Sequence, residues 1–396
     1  MKHKINTILF ILLLAAGVAV WFSPADVESL QKENRELAPM PQLSLETLKN
    51  GSFMGEFEQF VNDNIGYRSY FTETADKLRS YKGIEPPAGK VIYTEKDIGT
   101  EHIKKACLLQ LDDKIMEVFA SDKETEKIYI NAVNECAEKI PEGVSIYSML
   151  VPTQLEFQLP MYKNIQTDQK TTIEHIYNGL DERIKTVDAY SNLSKHTDEY
   201  IYFRTDHHWT ALGAYYAYEE FGKTAGFEAA KLADFTKNRQ KNEFLGYLYN
   251  KVNDEELKNH QDFVEWFDID VKNKLSYRFR GFHESGKYYN YRGTMYNRAA
   301  DNYSFFFKSD HPYVKISNAS LKNGKTVLLI KDSYANAFAP WLTNSFENVI
   351  MVDPRSFKGD MAKIIADDKV TDLVFMHYVF TTSFGDYCKM MTNMWK

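Results

Sequence analysis

The last hundred residues alternate short apolar runs with segments of helical periodicity. Three runs rich in branched residues, over 326–330, 348–352 and 372–376, are typical of buried strands. The segments between them, "ANAFAPWLTNSF" and "GDMAKIIADDK", carry apolar residues at the spacing of a helix face. Strands that alternate with helices indicate right-handed crossovers and a parallel sheet. We therefore predict an α/β fold in which helices flank a parallel sheet.

The upstream patterns continue this alternation. Residues 124–139 have a helical pattern, and Thr210 is placed to cap a helix, "ALGAYYAYEEF", that Gly222 ends. Residues 225–300 are polar, aromatic and irregular, which predicts an insertion or a surface that faces a substrate. Further strands are predicted over residues 90–93, 144–150 and 199–203.

The amino-terminal residues are basic and then apolar. No polar side chain interrupts Ile8 to Phe22, and Lys2 and Lys4 precede this run. The pattern predicts a single-pass anchor in the cell membrane, with the lysines in the cytoplasm and the rest of the chain outside. A cleaved signal peptide, with Gly17 and Ala19 near the cleavage point, is the alternative. Both interpretations make the body of the protein extracytoplasmic.

Three regions follow from these patterns. Residues 1–24 form the anchor or signal peptide, residues 25–85 a helical stalk, and residues 86–396 one large domain that contains the insertion at about 225–300. A net charge of −7 argues against a nucleic-acid partner. The three cysteines make neither a disulfide framework nor a metal-binding spacing, although Cys107 and Cys136 are near enough in sequence to form one bridge outside the cell.

Polar residues follow each of the three C-terminal strands. In parallel sheets, ligands bind beyond the carboxyl ends of the strands. This rule points to three segments, Asp332-Ser333-Tyr334, Asp353-Pro354-Arg355 and His377-Tyr378.

Ser333 lies between a buried strand and a helix. A sharp turn at such a place exposes the side chain, and the helix N-terminus favours a developing oxyanion. Ser333 is therefore a candidate nucleophile for attack on an acyl carbon. Capping of the helix is the simpler role for a serine at this position.

The segment "RTDHHWT" supplies a candidate base. Asp206 and His208 are two residues apart, so both project to one side of an extended segment while His207 faces the other. A carboxylate beside an imidazole holds its tautomer and stabilises the imidazolium, as in serine hydrolases. A metal site is a weaker alternative, because no further ligand with metal spacing is near. Buried structural histidines are another.

These residues resemble the DHHW family, which is related to the alginate O-acetylation proteins AlgX and AlgJ within the SGNH hydrolase-like group. The resemblance covers most of the chain after the anchor. It is carried by five segments, "ENRELAPMP", "YFRTDHHWTALGAYYAY", "DNYSFFF", "LLIKDSYANAFAPWL" and "VDPRSF". It implies a flavodoxin-like sheet and a Ser333–His208–Asp206 triad. Lys331 stands where typical SGNH enzymes have glycine, and no separate oxyanion-hole asparagine is identifiable. The Ser333 N–H is the expected oxyanion donor. Asn336 is nearby, with a purely structural role in the helix as its alternative.

The resemblance also implies a function. A multi-span membrane O-acyltransferase is expected to deliver acetyl groups, and this protein to pass them to a polysaccharide through an acyl-serine, with no cofactor or metal. Candidate substrate-binding residues are Arg355, Tyr334, Tyr378 and His207. Arg355 has an alternative role in an ion pair with an acid such as Asp332. Aromatic side chains that are candidates for sugar contacts or for ordinary packing are Tyr288, Tyr289 and Tyr291.

Two other functions remain open at this point. The same triad with water as the acceptor would make the protein an esterase or deacetylase. A vestigial triad would leave a glycan-binding component of an envelope complex.

Overall fold

A computed structural model describes residues 40–44, 47, 53–54, 57, 60–61, 89–94, 106–111, 113–163, 165–282 and 287–395. The chain divides into two compact units, Met1–Glu95 and Lys96–Lys396. Strand β1 (Lys90–Thr94) belongs to the first unit, where the sequence predicts a strand. The predicted anchor lies outside the described residues, as does most of the predicted stalk. Within the described part of the chain, every helix is too short or too polar to cross a membrane.

The second unit contains the remaining strands and helices. Its strands are β2 (Ala106–Gln110), β3 (Ile115–Glu117), β4 (Ser145–Val151), β5 (Ile184–Thr186), β6 (Lys237–Arg239), β7 (Glu265–Phe267), β8 (Leu275–Phe282), β9 (Tyr288–Tyr291), β10 (Tyr313–Asn318), β11 (Thr326–Lys331), β12 (Asn348–Val352) and β13 (Asp372–Tyr378). Its α-helices are α1 (Lys123–Glu138), α2 (Pro160–Lys163), α3 (Gln169–Gly179), α4 (Ala189–Leu193), α5 (Ala211–Ala225), α6 (Tyr249–Val252), α7 (Ile269–Lys272), α8 (Ala335–Leu342), α9 (Met361–Asp367) and α10 (Gly385–Thr392).

The main sheet has eight strands in the order β5-β4-β13-β11-β12-β10-β8-β9. The five strands from β5 to β12 pair in parallel, which agrees with the predicted strand–helix alternation at the C-terminus. Strands β10, β8 and β9 continue the sheet in antiparallel pairing, so the sheet is mixed and the prediction of a parallel sheet holds for part of it. The side chains of β8 alternate between more and less exposed positions, as is typical of an antiparallel strand with one face near solvent.

Helices cover both faces of the parallel strands. Every residue of β11 is buried, and its side chains alternate between the two cores. Val327 and Leu329 face a core shared with α5 and α8, whereas Leu328 and Ile330 face a core shared with α1 and α10. A strand buried on both faces reads as a continuous apolar run, which explains why the sequence pattern located β11 correctly.

Residues 201–210 fold differently from the prediction. The predicted strand over 199–203 contributes only one isolated bridge, between Tyr202 and Trp209. The chain turns back at this point, because the Phe203 N–H donates to His208 O and the Thr210 N–H donates to Ile201 O. We call residues 201–210 the DHHW hairpin. Its tip carries Asp206, His207 and His208.

The structure also differs from the sequence predictions at the end of α5, at the cysteines and over residues 225–300. Thr210 caps α5 as expected, with its hydroxyl accepting from the Gly213 N–H, but the helix runs past Gly222 to a left-handed Gly226 with φ of 77°. Cys107, Cys136 and the third cysteine, Cys388, are free thiols, so the Cys107–Cys136 bridge that the sequence left open does not form. Residues 225–300 contain the small β6–β7 sheet and two strands of the main sheet, β8 and β9, which the irregular sequence did not reveal.

Candidate active site

Ser333 lies on the turn between the central strand β11 and α8. The carboxylate of Asp332 holds this turn: Oδ1 accepts from the Tyr334 N–H at 2.9 Å, and Oδ2 accepts from the Tyr378 N–H at 2.8 Å and the Thr381 hydroxyl at 2.7 Å. This turn, residues 332–334, is therefore tied to the end of β13, and we call it the nucleophile turn after the candidate role of Ser333. The Ser333 N–H donates to no group among the described residues, which leaves it available as an oxyanion donor.

A buried carboxylate anchors the DHHW hairpin. Asp262 accepts from the Arg204 and Thr205 N–H groups, each at 2.7 Å, and from the Thr205 hydroxyl at 2.6 Å. Gly246 lies against the tip, where a Cβ atom would come within 2.5 Å of the Asp206 Cβ, so a side chain at this position would push the hairpin away. Asp262 lies 57 residues from Thr205 in sequence, and no local pattern links it to the hairpin.

The hairpin brings its acid and base to the serine. His208 Nδ1 lies 2.6 Å from Asp206 Oδ1, and His208 Nε2 lies 2.8 Å from Ser333 Oγ. Asp206 also accepts from the backbone N–H groups of His208 at 3.0 Å and Tyr247 at 3.1 Å. With the Nδ1 proton directed to the carboxylate, Nε2 is free to accept the serine proton. The three residues predicted from sequence thus lie within hydrogen-bonding distance in the expected order.

The surroundings favour an ionised aspartate. Burial by itself raises the pKa of Asp206, but the adjacent His208 ring, through its charge and its hydrogen bond, outweighs burial and lowers the pKa well below its usual value. A carboxylate that stays charged at neutral pH stabilises the imidazolium that forms when His208 takes a proton.

Trp209, the last residue of the DHHW sequence, joins the hairpin to the nucleophile turn. Its indole Nε1 donates to Tyr334 O at 2.9 Å, and the side chain is fully buried. This bond fixes the distance between the two segments that supply the base and the serine.

Tyr303 contacts both the candidate base, His208, and the nucleophile turn. Its ring stacks on the His208 ring with centroids 3.6 Å apart and planes 8° from parallel. Its hydroxyl donates to Ser333 O at 2.8 Å and accepts from the Ala337 N–H at 3.3 Å. The surrounding "DNYSFFF" segment carries part of the family resemblance, but no local pattern marks Tyr303 itself. These contacts make Tyr303 a candidate positioning residue for His208.

Removal of this stack is expected to lower turnover. Tyr303→Leu leaves the His208 ring free to tilt. We expect kcat of this variant for an activated acetyl ester to fall about 10²-fold, because small misplacements of a catalytic group cost that much. Tyr303→Phe keeps the stack and loses only the hydroxyl contacts, so its loss should stay near tenfold or less. Steady-state kinetics on both variants, with thermal unfolding to check folding, make the comparison. Equal activity of the leucine variant and wild type would rule out the positioning role.

Asp332 is a second titratable group at the turn. Burial raises the pKa of Asp332 to about 6, although its three hydrogen bonds favour the charged form. A carboxyl group with a raised folded-state pKa binds its proton more tightly in the folded chain. The stabilisation is present at low pH and is lost as the pH rises toward 6.

Asp332→Asn removes this titration. The stability of wild type relative to the variant should fall by up to about 3 kcal/mol between about pH 4 and about pH 7. Urea unfolding across this range measures the difference, with Asp234→Asn, on an exposed residue, as the matched control. A difference that does not change with pH would contradict the buried titration of Asp332.

Charged side chains surround the end of β11, of which Lys331 and Asp353 are buried while Arg355 and Asp310 are partly exposed. Lys331, which is 1% exposed, lies 2.5 Å from Asp310 Oδ1 and donates to Asn336 Oδ1 at 2.9 Å. Arg355 pairs with Asp310 at 2.7 Å and with Asp353 at 2.6 Å, so it does take part in ion pairs, but with these two acids and not with Asp332, the example that the sequence suggested. Asn336 in turn donates to Asp310 at 3.0 Å. Lys331, unexpected in place of glycine, therefore belongs to a paired network.

This network changes the pKa of Asp310. Burial raises the pKa of Asp310, but the charges of Lys331 and Arg355 and the hydrogen bonds from Lys331 and Asn336 together outweigh burial and lower the pKa well below its usual value. Its hydrogen bond fixes the side-chain amide of Asn336, which lines the cleft beside Ser333. Asp310 was missed from sequence because no local pattern links it to β11.

The other predicted substrate-binding residues, His207, Tyr334 and Tyr378, lie near the candidate triad but outside the charged network of Arg355. His207 remains beside the pair instead of facing away: its ring lies 3.9 Å from that of His208, and burial followed by the charge of His208 lowers its pKa. Tyr334 is fully buried, donates to His207 O and stacks on Tyr378 at 4.7 Å. Tyr378 and Arg355 line an open cleft. Contacts of these residues with a substrate stay a prediction.

Asp206, His207 and His208 also meet the geometry of a metal-ligand set, since one ligand atom from each lies within 4.8 Å of the others. Both ring nitrogens of His208 already make short contacts, to Asp206 and Ser333. A cation bound through His208 would replace one of these two contacts. The observed arrangement suits proton transfer.

The fold and this site define a class: a mixed α/β protein with a serine, histidine and aspartate at the carboxyl end of its central sheet. The chain belongs to the DHHW family, whose model, described as DHHW protein, matches residues 98–352. This confirms the resemblance found in the sequence.

Solved structures share the fold. A crystal structure of a DHHW family protein from Eubacterium siraeum is 27% identical, with a TM-score of 0.62 over 76% of this chain and 99% of that one. The structure of Bacillus cereus PatB1 with a sulfonyl adduct is 23% identical, with a TM-score of 0.60 over 72% of this chain and 98% of that one. At that identity, the similarity to PatB1 establishes the fold alone. A search of curated proteins found no match.

Proposed function

We propose that this protein is an extracytoplasmic SGNH-type O-acyltransferase that moves an acetyl group onto a polysaccharide hydroxyl. The observation that carries the proposal is the chain of two short contacts, 2.8 Å from Ser333 Oγ to His208 Nε2 and 2.6 Å from His208 Nδ1 to Asp206 Oδ1. Membership of a family related to alginate O-acetylation proteins supports the same chemistry.

The proposed reaction has two half-reactions. In the first, Ser333 Oγ attacks the carbonyl carbon of the donor ester while His208 Nε2 takes the hydroxyl proton. The carbon–oxygen bond to the donor alcohol breaks, and His208 returns the proton to that oxygen. In the second, His208 takes a proton from a glycan hydroxyl, which attacks the acetyl-serine, and the proton passes back to Ser333 Oγ as it leaves. The Ser333 N–H stabilises the oxyanion in both steps.

The proposal includes partners and a location. The donor is an integral membrane O-acyltransferase that presents acetyl groups outside the cytoplasm, and the acceptor is a cell-envelope or exported polysaccharide. The apolar run over residues 8–22 supports an anchor that would keep the catalytic domain beside this donor.

Hydrolysis is the rival outcome, because water can replace the glycan in the second half-reaction. Incubation with 4-nitrophenyl acetate and a panel of envelope glycans separates the two. The proposal expects acetylated glycan, detected by mass spectrometry, with less free acetate than in the absence of glycan. Release of free acetate alone, unchanged by every glycan, would instead make the protein an esterase.

A covalent probe tests the nucleophile directly. Bacillus cereus PatB1 has been solved with a sulfonyl adduct. A sulfonyl fluoride is a suitable probe for an activated serine in this chain. We expect phenylmethylsulfonyl fluoride to modify the peptide that contains Ser333 and to leave Ser333→Ala unmodified. No adduct on the wild-type protein would favour a non-catalytic glycan-binding role.

A further inference from the structure

Two open clefts meet at the candidate nucleophile. Ser333 and His207 line both. The Tyr303 cleft, of about 350 Å³, is also lined by Asp206, His208, Tyr247, Asn250, Tyr303 and Asp310. The Tyr378 cleft, of about 310 Å³, is also lined by Arg355, Tyr378, Thr381, Phe384, Tyr387 and Met390.

The base faces only one of these clefts. His208 and Asp206 line the Tyr303 cleft and are not among the residues of the Tyr378 cleft. In the proposed reaction, on which this inference rests, His208 protonates the leaving oxygen of the donor and deprotonates the attacking oxygen of the acceptor. Because one ring nitrogen performs both transfers, both oxygens must occupy the same side of Ser333. That side is the Tyr303 cleft.

The acyl chain must then lie elsewhere. The tetrahedral carbon on Ser333 Oγ carries an alcohol oxygen directed to His208, an oxyanion directed to backbone donors, and the acyl chain. We propose that the Tyr378 cleft is the acyl-binding site and that it sets the length of the acyl chain the protein accepts. Its apolar side chains, from Phe384, Met390 and Tyr378, suit a hydrocarbon chain.

The linings of the two clefts support this division. The Tyr303 cleft carries amide, hydroxyl and charged groups, among them Asn250, Asn302 and Lys308, that suit a hydroxyl-rich sugar. The Tyr378 cleft has its cation, Arg355, already paired with Asp353 and Asp310. Of its two acids, Asp332 is bonded to the Tyr334 and Tyr378 N–H groups and to the Thr381 hydroxyl, and Asp386 pairs with Lys389. The aromatic and thioether groups are therefore the main unpaired groups that this cleft offers to a ligand.

The size of the Tyr378 cleft predicts a tolerance for chains longer than acetyl. A methyl group is similar in size to a water molecule, which occupies about 30 Å³ in the liquid. The cleft of about 310 Å³ is therefore several times larger than the methyl group of an acetyl chain needs. Butyryl and hexanoyl groups should therefore be accepted on Ser333.

A substitution that narrows the cleft tests the proposal. Met390 lines the cleft, is 41% exposed and lies outside the triad, so tryptophan at this position fills space with little cost to folding. Kinetics of the full chain are measured with 4-nitrophenyl acetate, butyrate and hexanoate. For Met390→Trp we expect the ratio of kcat/KM for hexanoate to that for acetate to fall at least about tenfold from the wild-type ratio.

Two controls separate this effect from others. Ile128→Trp adds the same side chain at an exposed position of α1, away from both clefts, and should leave the ratio unchanged. Tyr247→Ala, in the Tyr303 cleft, should alter transfer to a glycan without changing the chain-length ratio.

The outcomes distinguish this inference from the proposed function. Turnover of acetate with a ratio that Met390→Trp leaves unchanged would overturn the acyl-site assignment and leave the acyltransferase proposal intact. A ratio changed by Tyr247→Ala instead would assign the acyl chain to the Tyr303 cleft. No reaction of the wild-type chain with any of the three esters would overturn both.

Discussion

Ser333→Ala should abolish turnover of an activated acetyl ester, with a fall in kcat of about 10⁴-fold or more. The hydroxyl oxygen at 2.8 Å from His208 Nε2 is the atom that would form the acyl-enzyme. Without it, the remaining groups can only bind the ester and polarise its carbonyl. Rapid-mixing measurement of the 4-nitrophenol burst, followed by steady-state rates, determines the loss for both half-reactions.

The matched control is Ser276→Ala, on an exposed residue of β8. It should retain wild-type kinetics within about twofold, and both variants should unfold at the wild-type temperature. A Ser333→Ala protein that still turns over ester at the wild-type rate would remove Ser333 from the mechanism.

Asp206→Asn should lower kcat by about 10³- to 10⁴-fold, the second-largest effect. The aspartate accepts from His208 Nδ1 at 2.6 Å and thereby leaves Nε2 as the acceptor for the serine proton. An amide nitrogen at this position favours the opposite tautomer, in which Nε2 already carries a proton. Steady-state kinetics measure the loss.

Ligand binding at the site should survive this change, because asparagine is close in size to aspartate. A sulfonyl fluoride should label the variant much more slowly than wild type, with Asp234→Asn as the exposed control. Unchanged labelling would mean that His208 activates Ser333 without help from the carboxylate.

The sequence predicted the central part of the fold for a clear reason. Strands buried on both faces, such as β11 and β12, appear as continuous apolar runs bounded by helical patterns. The antiparallel edge was missed because β8 and β9 are rich in tyrosine and arginine, and their alternation is hidden in polar sequence. The DHHW hairpin was missed, and a strand was predicted over residues 199–203, because the turn of the hairpin contains neither glycine nor proline.

The candidate triad was also predictable, since two of its members are neighbours in sequence and the third follows a recognisable strand. The residues that support it were not. Tyr303 reaches His208 by ring stacking, Asp262 holds Thr205 from 57 positions away, and Asp310 pairs with Lys331. Contacts of this kind depend on tertiary packing and leave no periodic or spacing signal along the chain.

The DHHW hairpin makes the acid and base one preassembled unit. The Asp206–His208 contact spans two residues, so it needs no part of the sheet to form. Alignment with Ser333 depends instead on a few long-range bonds, chiefly from Trp209 to Tyr334 O and from Tyr303 to Ser333 O. Local opening that breaks those bonds would separate the hairpin from the serine while the sheet stays folded. Mild denaturant should therefore abolish ester turnover at a concentration that leaves the far-ultraviolet circular dichroism of the protein unchanged.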